Sequence, residues 1–128
     1  MKNGKKIVLI VDDSDIILER MTRMLEETEN IQFVAHAGSY HDAIQLLNGV
    51  TPDLVLLDIH LPDKSGIELL RIIKEKYRDT IVVMITNNVN DYYRNYCKTL
   101  GAEYFVDKSK DFNLIPEIIS ARTDSHTV

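Results

Sequence analysis

Short, continuous apolar runs alternate along this chain with longer segments in which apolar residues recur at helical spacing. Continuous hydrophobicity, rather than strict alternation, is typical of strands that are buried on both faces, as in parallel sheets. The runs predict five strands, at Ile7–Val11, Ile31–Ala35, Leu54–Leu57, Ile81–Ile85 and Tyr104–Val106.

The segments between and after these strands predict five amphipathic helices. In the first segment, apolar residues at i, i+4, i+7 and i+8 form one helical stripe: Ile17, Met21, Met24 and Leu25. Similar stripes predict the other four helices, from Ala43, Ile44 and Leu47, from Leu69, Leu70, Ile72 and Ile73, from Tyr93, Tyr96, Cys97 and Leu100, and from Ile115, Ile118 and Ile119.

Local signals agree with these helix boundaries. Ser39 with Asp42, and Ser65 with Glu68, have the spacing of a capping box at a helix N-terminus. Gly101 lies where a glycine commonly ends a helix. Pro116 is expected in the first turn of the last helix, where a missing N–H group costs little.

The pattern is therefore (βα)5, an α/β fold with a doubly wound, five-stranded parallel sheet. Strands joined by single helices run parallel and have right-handed crossovers. The length of 128 residues suits one domain, spanning 1–128 with an ordered core at about 5–122. In such sheets, ligands bind at the carboxyl ends of the strands, which is where candidate chemistry is expected.

Composition excludes some classes of function. The chain has 15 Lys and Arg against 20 Asp and Glu, a net charge of −5, which disfavours direct binding to nucleic acid. The longest apolar runs have five residues, far short of a membrane span. A single cysteine, Cys97, fits a reducing compartment. We therefore expect a cytoplasmic domain that binds neither nucleic acid nor membrane.

Polar residues follow four of the five predicted strands: Asp12 and Asp13, Asp58, Thr86 and Lys108. Two like charges about 4 Å apart repel by roughly 4 kcal/mol at an effective dielectric constant of 20. Three carboxylates at one edge therefore need a cation beyond one lysine. A hard divalent ion that prefers oxygen ligands, Mg²⁺, fits this need.

A carboxylate beside Mg²⁺, a hydroxyl group and an ammonium group is equipped to become an aspartyl phosphate. The metal and Lys108 would neutralise charge on the transferring phosphoryl oxygens, and Thr86 would donate a hydrogen bond to one of them. The four histidines are scattered without metal-ligand spacing, and the sequence has no glycine-rich phosphate loop.

Four motifs in this order and spacing resemble the receiver domain of bacterial two-component response regulators. They are Val11–Ser14 after the first strand, Leu57–Gly66 after the third, Ile85–Thr86 after the fourth, and Gly101–Lys108 around the fifth. The resemblance covers nearly the whole chain. It implies a flavodoxin-like sheet with strand order 2-1-3-4-5.

The resemblance also implies roles for individual residues. Asp58 would be the phosphoacceptor, with Thr86 and Lys108 contacting the phosphoryl group. Asp12 and Asp13 would arrange Mg²⁺, with Asp58 and the backbone carbonyl of His60 as further ligands. Thr86 and Phe105 would form the switch, because Phe105 holds the position of the family's rotating aromatic residue.

The partners follow from the same resemblance. A sensor histidine kinase or a phosphotransfer protein would supply the phosphoryl group. A downstream protein would bind the face of helix 4, strand 5 and helix 5. A homodimer that forms on phosphorylation is left open. The domain would be no enzyme beyond assisting its own phosphorylation and dephosphorylation.

Three departures from the family pattern bear on the site. Ser109 follows Lys108, where the family usually has a proline after a cis peptide bond; a cis bond before another residue costs about 3 kcal/mol, so we expect a trans bond. Asn87 replaces a small residue and is predicted to narrow access to Asp58. His60 and Asn88 occupy positions that border the path of the hydrolytic water, so they bear on the lifetime of the phosphorylated state.

Three alternatives stay open at this point. A small phosphatase with an aspartate nucleophile would typically carry a second aspartate where this chain has His60. A pseudo-receiver would keep the fold and bind partners without phosphate. A fragment of a longer DNA-binding regulator would continue past the polar tail Thr123–Val128; we expect a stand-alone receiver instead.

Overall fold

In the computed structural model, which describes residues 6–87 and 90–123, strands and helices alternate as predicted. The elements are β1 Lys6–Val11, α1 Asp15–Glu26, β2 Ile31–Ala37, α2 Tyr40–Leu47, β3 Leu54–Asp58, α3 Gly66–Lys76, β4 Ile81–Thr86, α4 Asp91–Thr99, β5 Tyr104–Asp107 and α5 Leu114–Thr123. Each strand extends one or two residues beyond its predicted apolar run. None of the helices in these ranges is long and apolar enough to cross a membrane.

The five strands form one parallel sheet in the order β2-β1-β3-β4-β5. The order reverses between β1 and β3, which lie side by side and pair from Val8 with Leu54 to Val11 with Leu57. The sheet confirms the fold class and the strand order. A crevice at the carboxyl ends of β1 and β3 is the expected ligand position for this topology.

Successive residues of each strand point to opposite faces of the sheet, so the core has two layers. One layer packs α2, α3 and α4 against strand residues that include Leu9, Leu57 and Met84. The other packs α1 and α5 against residues that include Ile10 and Leu56. Burial on both faces explains the continuous apolar runs of the central strands β1, β3 and β4, whereas β2, at the edge of the sheet, is mostly half-buried or exposed.

Helix ends follow the local signals with one correction. Ser39 caps α2, and its hydroxyl oxygen accepts a hydrogen bond from the N–H of Asp42, as predicted. Ser65 caps α3, but its hydroxyl accepts from Ile67, one residue before the predicted Glu68. The N–H of Glu68 donates to the Ser65 carbonyl instead, which is why the hydroxyl bonds earlier. Gly101 follows α4 with a φ of 110°, a conformation that suits glycine.

The predicted apolar stripe of α4 is wrong at one position. Cys97 is buried and Tyr93 is half-buried against the core, but Tyr96 is 36% exposed. Its hydroxyl oxygen accepts a hydrogen bond from the Arg71 guanidinium of α3 at 2.8 Å. The amphipathic phenol therefore lies along the surface between α3 and α4, with its polar end paired.

Candidate functional site

The structure brings the predicted site residues together at the carboxyl edge of the sheet. Asp12 directly follows β1, Asp58 ends β3, Thr86 ends β4 and Lys108 directly follows β5. Asp12, Asp13 and Asp58 each offer a carboxylate oxygen, and these oxygens lie within 4.8 Å of one another. The central position of β1 and β3 in the sheet is what places these carboxylates side by side.

Asp58 is a buried carboxylate, 4% exposed, with a different partner on each oxygen. Oδ1 accepts a hydrogen bond from the backbone N–H of His60 at 3.1 Å, and Oδ2 accepts one from the Lys108 ammonium at 3.2 Å. Burial raises the pKa of Asp58 above its ordinary value, and Lys108 opposes this while the charge of Asp12 adds to it. The charge of Lys108 and the His60 N–H therefore offset only part of the free-energy cost of burying the charged Asp58 carboxylate.

Lys108 lies between two carboxylates. Its Nζ is 2.6 Å from Asp12 Oδ2 and 3.2 Å from Asp58 Oδ2. Burial on its own would lower the pKa of Lys108, but the contact with Asp12 and the charge of Asp58 together raise it. Lys108 therefore stays an ammonium group, held where a phosphoryl group on Asp58 would need a cation.

Asp12 is fully buried and incompletely bonded. Its Oδ1 accepts a hydrogen bond from the N–H of Ser14 at 2.9 Å. Its Oδ2 is in an ion pair with the Lys108 ammonium at 2.6 Å, and no other group of the described residues donates a hydrogen bond to it. A buried carboxylate oxygen in this state, beside exposed Asp13 and buried Asp58, is a donor set that suits a hard divalent cation.

Thr86 and Lys108 are linked through the main chain. Thr86 is buried at the end of β4, where it pairs with Asp107 of β5. The Lys108 N–H donates to the Thr86 carbonyl oxygen at 2.9 Å, which fixes the start of the lysine segment on β4. A main-chain hydrogen bond therefore joins the residue that carries the Thr86 hydroxyl to the residue that carries the Lys108 ammonium.

A turn after Lys108 was not predicted. Asp107 Oδ1 accepts hydrogen bonds from the Ser109 hydroxyl at 2.6 Å and from the Ser109 N–H at 2.8 Å, and these bonds lower the pKa of Asp107. No peptide bond of the described residues is cis, so the bond from Lys108 to Ser109 is trans, as expected. The sequence feature that could have predicted this turn is an Asp followed two residues later by a Ser, a spacing typical of such turns.

The segment of residues 59–65, here called the β3–α3 loop, also carries an acceptor that sequence reasoning missed. Asp63 accepts hydrogen bonds from the backbone N–H groups of Tyr40 and His41, both at 2.9 Å, at the start of α2. An exposed acid in a loop gives no sequence signal of which distant helix it will contact.

Phe105 and Tyr104 point to opposite faces of β5, as strand geometry predicts. Phe105 is half-buried in the layer of α2, α3 and α4, and the guanidinium carbon of Arg94 lies 5.0 Å from the centre of its ring. Tyr104 packs in the other layer, and its hydroxyl accepts a hydrogen bond from Arg122. Phe105 therefore lies on the α4 side of the sheet, paired with Met84 two residues before the end of β4.

His60 has an exposed side chain whose ring makes an edge contact with Tyr93, with 6.2 Å between ring centres. Tyr92 is 73% exposed and stacks on Tyr96, on the side of α4 that faces α3. Asn87 is exposed, and Asn88 lies outside the described residues. A role for His60 and Asn88 in the lifetime of a phosphorylated state stays a prediction.

Comparisons with known proteins agree with this geometry. The family model of the response regulator receiver domain matches residues 8–120. A protein-glutamate methylesterase/protein-glutamine glutaminase of Geobacter sulfurreducens is 33% identical over 119 residues, 93% of this chain and 32% of that protein. Response regulator GacA of Pseudomonas aeruginosa is 33% identical over 101 residues, 79% of this chain and 47% of GacA. The chain thus spans half or less of the length of these relatives.

Solved structures show the same relationship. The signal receiver domain of a DNA-binding response regulator from Colwellia psychrerythraea has a TM-score of 0.87 at 26% identity, covering 94% of this chain and all of that one. A response regulator receiver domain protein from Methanospirillum hungatei has a TM-score of 0.85 at 27% identity, covering 94% of each chain. This chain belongs to the family of response regulator receiver domains.

Proposed function

We propose that the chain is a phosphoacceptor signalling domain that takes a phosphoryl group on Asp58. The observation that carries this proposal is the pairing of Asp58 Oδ2 with the Lys108 ammonium at the carboxyl edge of the sheet. The donor would be a sensor histidine kinase, a phosphotransfer protein or a small acyl phosphate. The readout would be a protein-binding face formed by α4, β5 and α5.

The chemistry of the step is a displacement at phosphorus. An oxygen of the Asp58 carboxylate forms a bond to phosphorus, and the bond from phosphorus to the donor atom breaks, which leaves an acyl phosphate. Lys108, held between Asp12 and Asp58, stabilises negative charge on the phosphoryl oxygens, and the Thr86 hydroxyl donates to one of them. The backbone N–H of His60 orients the other Asp58 oxygen.

A magnesium ion would be held by Asp12, Asp13, Asp58 and the backbone carbonyl of His60. When bound, it would supply positive charge to phosphoryl oxygens and offset repulsion among the carboxylates. The buried Asp12 Oδ2, which has the Lys108 ammonium as its one partner among the described residues, supports this assignment.

The domain is proposed to act as a regulator rather than as an enzyme on other substrates. The methylesterase activity in the name of one relative belongs to a protein of which this chain matches 32%. A cytoplasmic location, a domain extent of 1–128 and a stand-alone chain stay predictions. A phosphorylation-dependent homodimer is one form that the output could take.

Mass spectrometry tests the phosphoacceptor directly. Incubation with acetyl phosphate and Mg²⁺ should add about 80 Da to the intact protein, the mass of one phosphoryl group. Asp58→Asn should add none, whereas Asp79→Ala, an exposed acid at the opposite end of the sheet, should be modified like the wild type. Equal modification of Asp58→Asn would reject the assignment, and an unmodified wild type would favour the pseudo-receiver.

Thermal unfolding tests the metal. Millimolar Mg²⁺ should raise the melting temperature of the wild type, because a ligand that binds only the native state stabilises it. The Asp12→Asn/Asp13→Asn protein should show little rise. A melting temperature that Mg²⁺ leaves unchanged, together with phosphorylation in EDTA, would exclude the proposed site.

A further inference from the structure

The β3–α3 loop is attached to α2 by a charged side chain. Asp63 Oδ1 accepts hydrogen bonds from the N–H groups of Tyr40 and Lys64, at 2.9 and 3.1 Å, and Oδ2 accepts one from His41 at 2.9 Å. These bonds, that from His41 foremost, lower the pKa of Asp63. The carboxylate therefore remains charged at neutral pH at the positive end of the α2 dipole.

A second contact joins the same loop to the same helix. The Lys64 ammonium lies 4.9 Å from the centre of the Tyr40 ring, within the range of a cation–π interaction. Two consecutive loop residues thus contact the first residue of α2. The attachment is tertiary, because Asp63 is 22 and 23 residues distant from its partners along the chain.

The helix has a cap of its own that does not involve the loop. The Ser39 hydroxyl accepts from the Asp42 N–H at 3.0 Å, which satisfies one of the free donors of the first turn. Asp63 takes two other donors of that turn. The two caps can therefore be removed separately, and only one of them connects α2 to the β3–α3 loop.

The other end of the loop contacts the proposed phosphoacceptor. The His60 N–H donates to Asp58 Oδ1, and residues 60 and 65 form an isolated antiparallel bridge. The Gly66 N–H donates to the Ile59 carbonyl oxygen at 2.7 Å. The loop is thus a small closed unit, and fixing its outer tip at Asp63 restrains the His60 backbone at its base.

We propose that Asp63 is a positioning residue for phosphoryl transfer, which holds the β3–α3 loop on α2 and thereby fixes the His60 main chain beside Asp58. This inference rests on the proposed function. It makes α2 part of the mechanical support of the site, although no residue of α2 touches a proposed reacting atom.

Hydrogen–deuterium exchange without metal or phosphate tests the attachment itself. Asp63→Ala should speed exchange both in α2 and in the β3–α3 loop, and Asp63→Asn, which keeps one acceptor oxygen, should give a smaller effect. Ser39→Ala is the matched control, and it should speed exchange in α2 only. Unchanged loop exchange in Asp63→Ala would overturn the proposal.

Phosphorylation by acetyl phosphate and Mg²⁺ binding test the consequence. Loss of a residue that hydrogen-bonds a metal ligand directly typically weakens metal affinity by about tenfold or more. Asp63 contacts no proposed ligand, so we expect a smaller but measurable loss of rate and affinity in Asp63→Ala, partial recovery in Asp63→Asn and near wild-type values in Ser39→Ala. Unchanged rate and affinity in Asp63→Ala, or an equal loss in Ser39→Ala, would overturn the positioning role. A wild type that takes no phosphate would reject the proposed function instead, and the exchange data would still decide the attachment.

Discussion

Gly66 lies so close to the main chain of Asp58 that a β-carbon on Gly66 would be 1.9 Å from the Asp58 carbonyl oxygen and 2.9 Å from its carbonyl carbon. Gly66 is buried as the first residue of α3, and no flexible side chain is available to move aside. The start of α3 therefore approaches the end of β3 at backbone distance. That approach, rather than a left-handed backbone, requires the glycine.

Gly66→Ala should consequently destabilise the fold by about 1–3 kcal/mol, the usual cost of forcing extra atoms into a packed site. Backbone has to move at Asp58, so phosphorylation by acetyl phosphate should fall as well. Gly49→Ala, at an exposed glycine with open space around it, should change the free energy of unfolding by less than about 0.5 kcal/mol. Urea unfolding measures the free energy of unfolding of both variants. Similar values for the two would show that the start of α3 can accommodate a methyl group at Gly66.

The burial of Asp58 makes stability depend on pH with a definite sign. Because the native pKa lies above the ordinary value of 3.8, the native state keeps this proton to higher pH than the unfolded chain. Stability from this group is therefore lost as the pH rises from 3.8 through the raised native pKa. In metal-free buffer, Asp58→Asn should melt at a higher temperature than the wild type at pH 7, and this advantage should disappear toward pH 3.8.

Asp107 provides the opposite case for comparison. Its pKa is lowered by the hydrogen bonds from Ser109, so it contributes stability above the ordinary pKa, and that contribution is lost as the pH falls through the native value. Asp107→Asn should thus melt at a lower temperature than the wild type at pH 7. For Asp58, a melting temperature of Asp58→Asn at pH 7 that is at or below that of the wild type would contradict the prediction that its buried charge destabilises the native state.

Thr86 is expected to connect phosphorylation to the surface near Phe105. Thr86→Ala removes the hydroxyl but not the carboxylates or Lys108, so intact mass should still show phosphorylation. The phosphorylation-dependent change in hydrogen exchange of α4 and β5 should become smaller. Without the hydroxyl, residue 86 cannot donate a hydrogen bond to the phosphoryl group, and Phe105 would have no reason to rotate. Thr86→Ser keeps the hydroxyl and should respond as the wild type does. An undiminished response in Thr86→Ala would leave the proposed switch without support.

Ion pairs at different depths should differ in their effect on stability. Lys74 is 13% exposed, and its ammonium donates to Glu103 at 2.8 Å and to the Thr80 carbonyl oxygen at 2.7 Å. Lys74→Met should cost about 1–3 kcal/mol, because it leaves partly buried acceptors without a donor.

Arg23 forms a solvent-exposed ion pair with Glu19, and the Arg23 side chain is 73% exposed. Arg23→Met should cost less than about 1 kcal/mol, the usual range for exposed pairs. Chemical denaturation measures both variants. If both variants lost the same free energy of unfolding, water would be able to replace the contacts of Lys74 as well as it replaces the contact of Arg23.

The strand positions and the edge residues could be predicted because they follow from local sequence and one geometric rule. Burial on both faces makes a strand such as β3 a continuous apolar run up to its last residue, Asp58, and parallel strands bring their final residues to one edge. The strand order could not be obtained this way, because helical connections permit several orders. It came from the resemblance of four motifs to a family.

What sequence reasoning missed depends on tertiary packing. Tyr96 and Cys97 are adjacent on one helix, and a small rotation of α4 decides which of them is buried. Asp63 could have accepted hydrogen bonds from several segments, and only the packed position of α2 selects Tyr40 and His41. Ser65 illustrates the same limit at shorter range, since its hydroxyl accepts from Ile67 while the Glu68 N–H donates to the Ser65 carbonyl oxygen.

The two-layer core has a consequence for how this sequence tolerates change. Side chains such as Leu70 in one layer and Met21 in the other are separated by the full sheet and share no cluster. Losses of stability from substitutions in different layers should add to within about 0.5 kcal/mol, whereas substitutions at residues in contact within one layer should be coupled. A substitution next to Phe105 should therefore leave the effect of a substitution beneath α1 and α5 unchanged, so each side of the sheet can be redesigned separately.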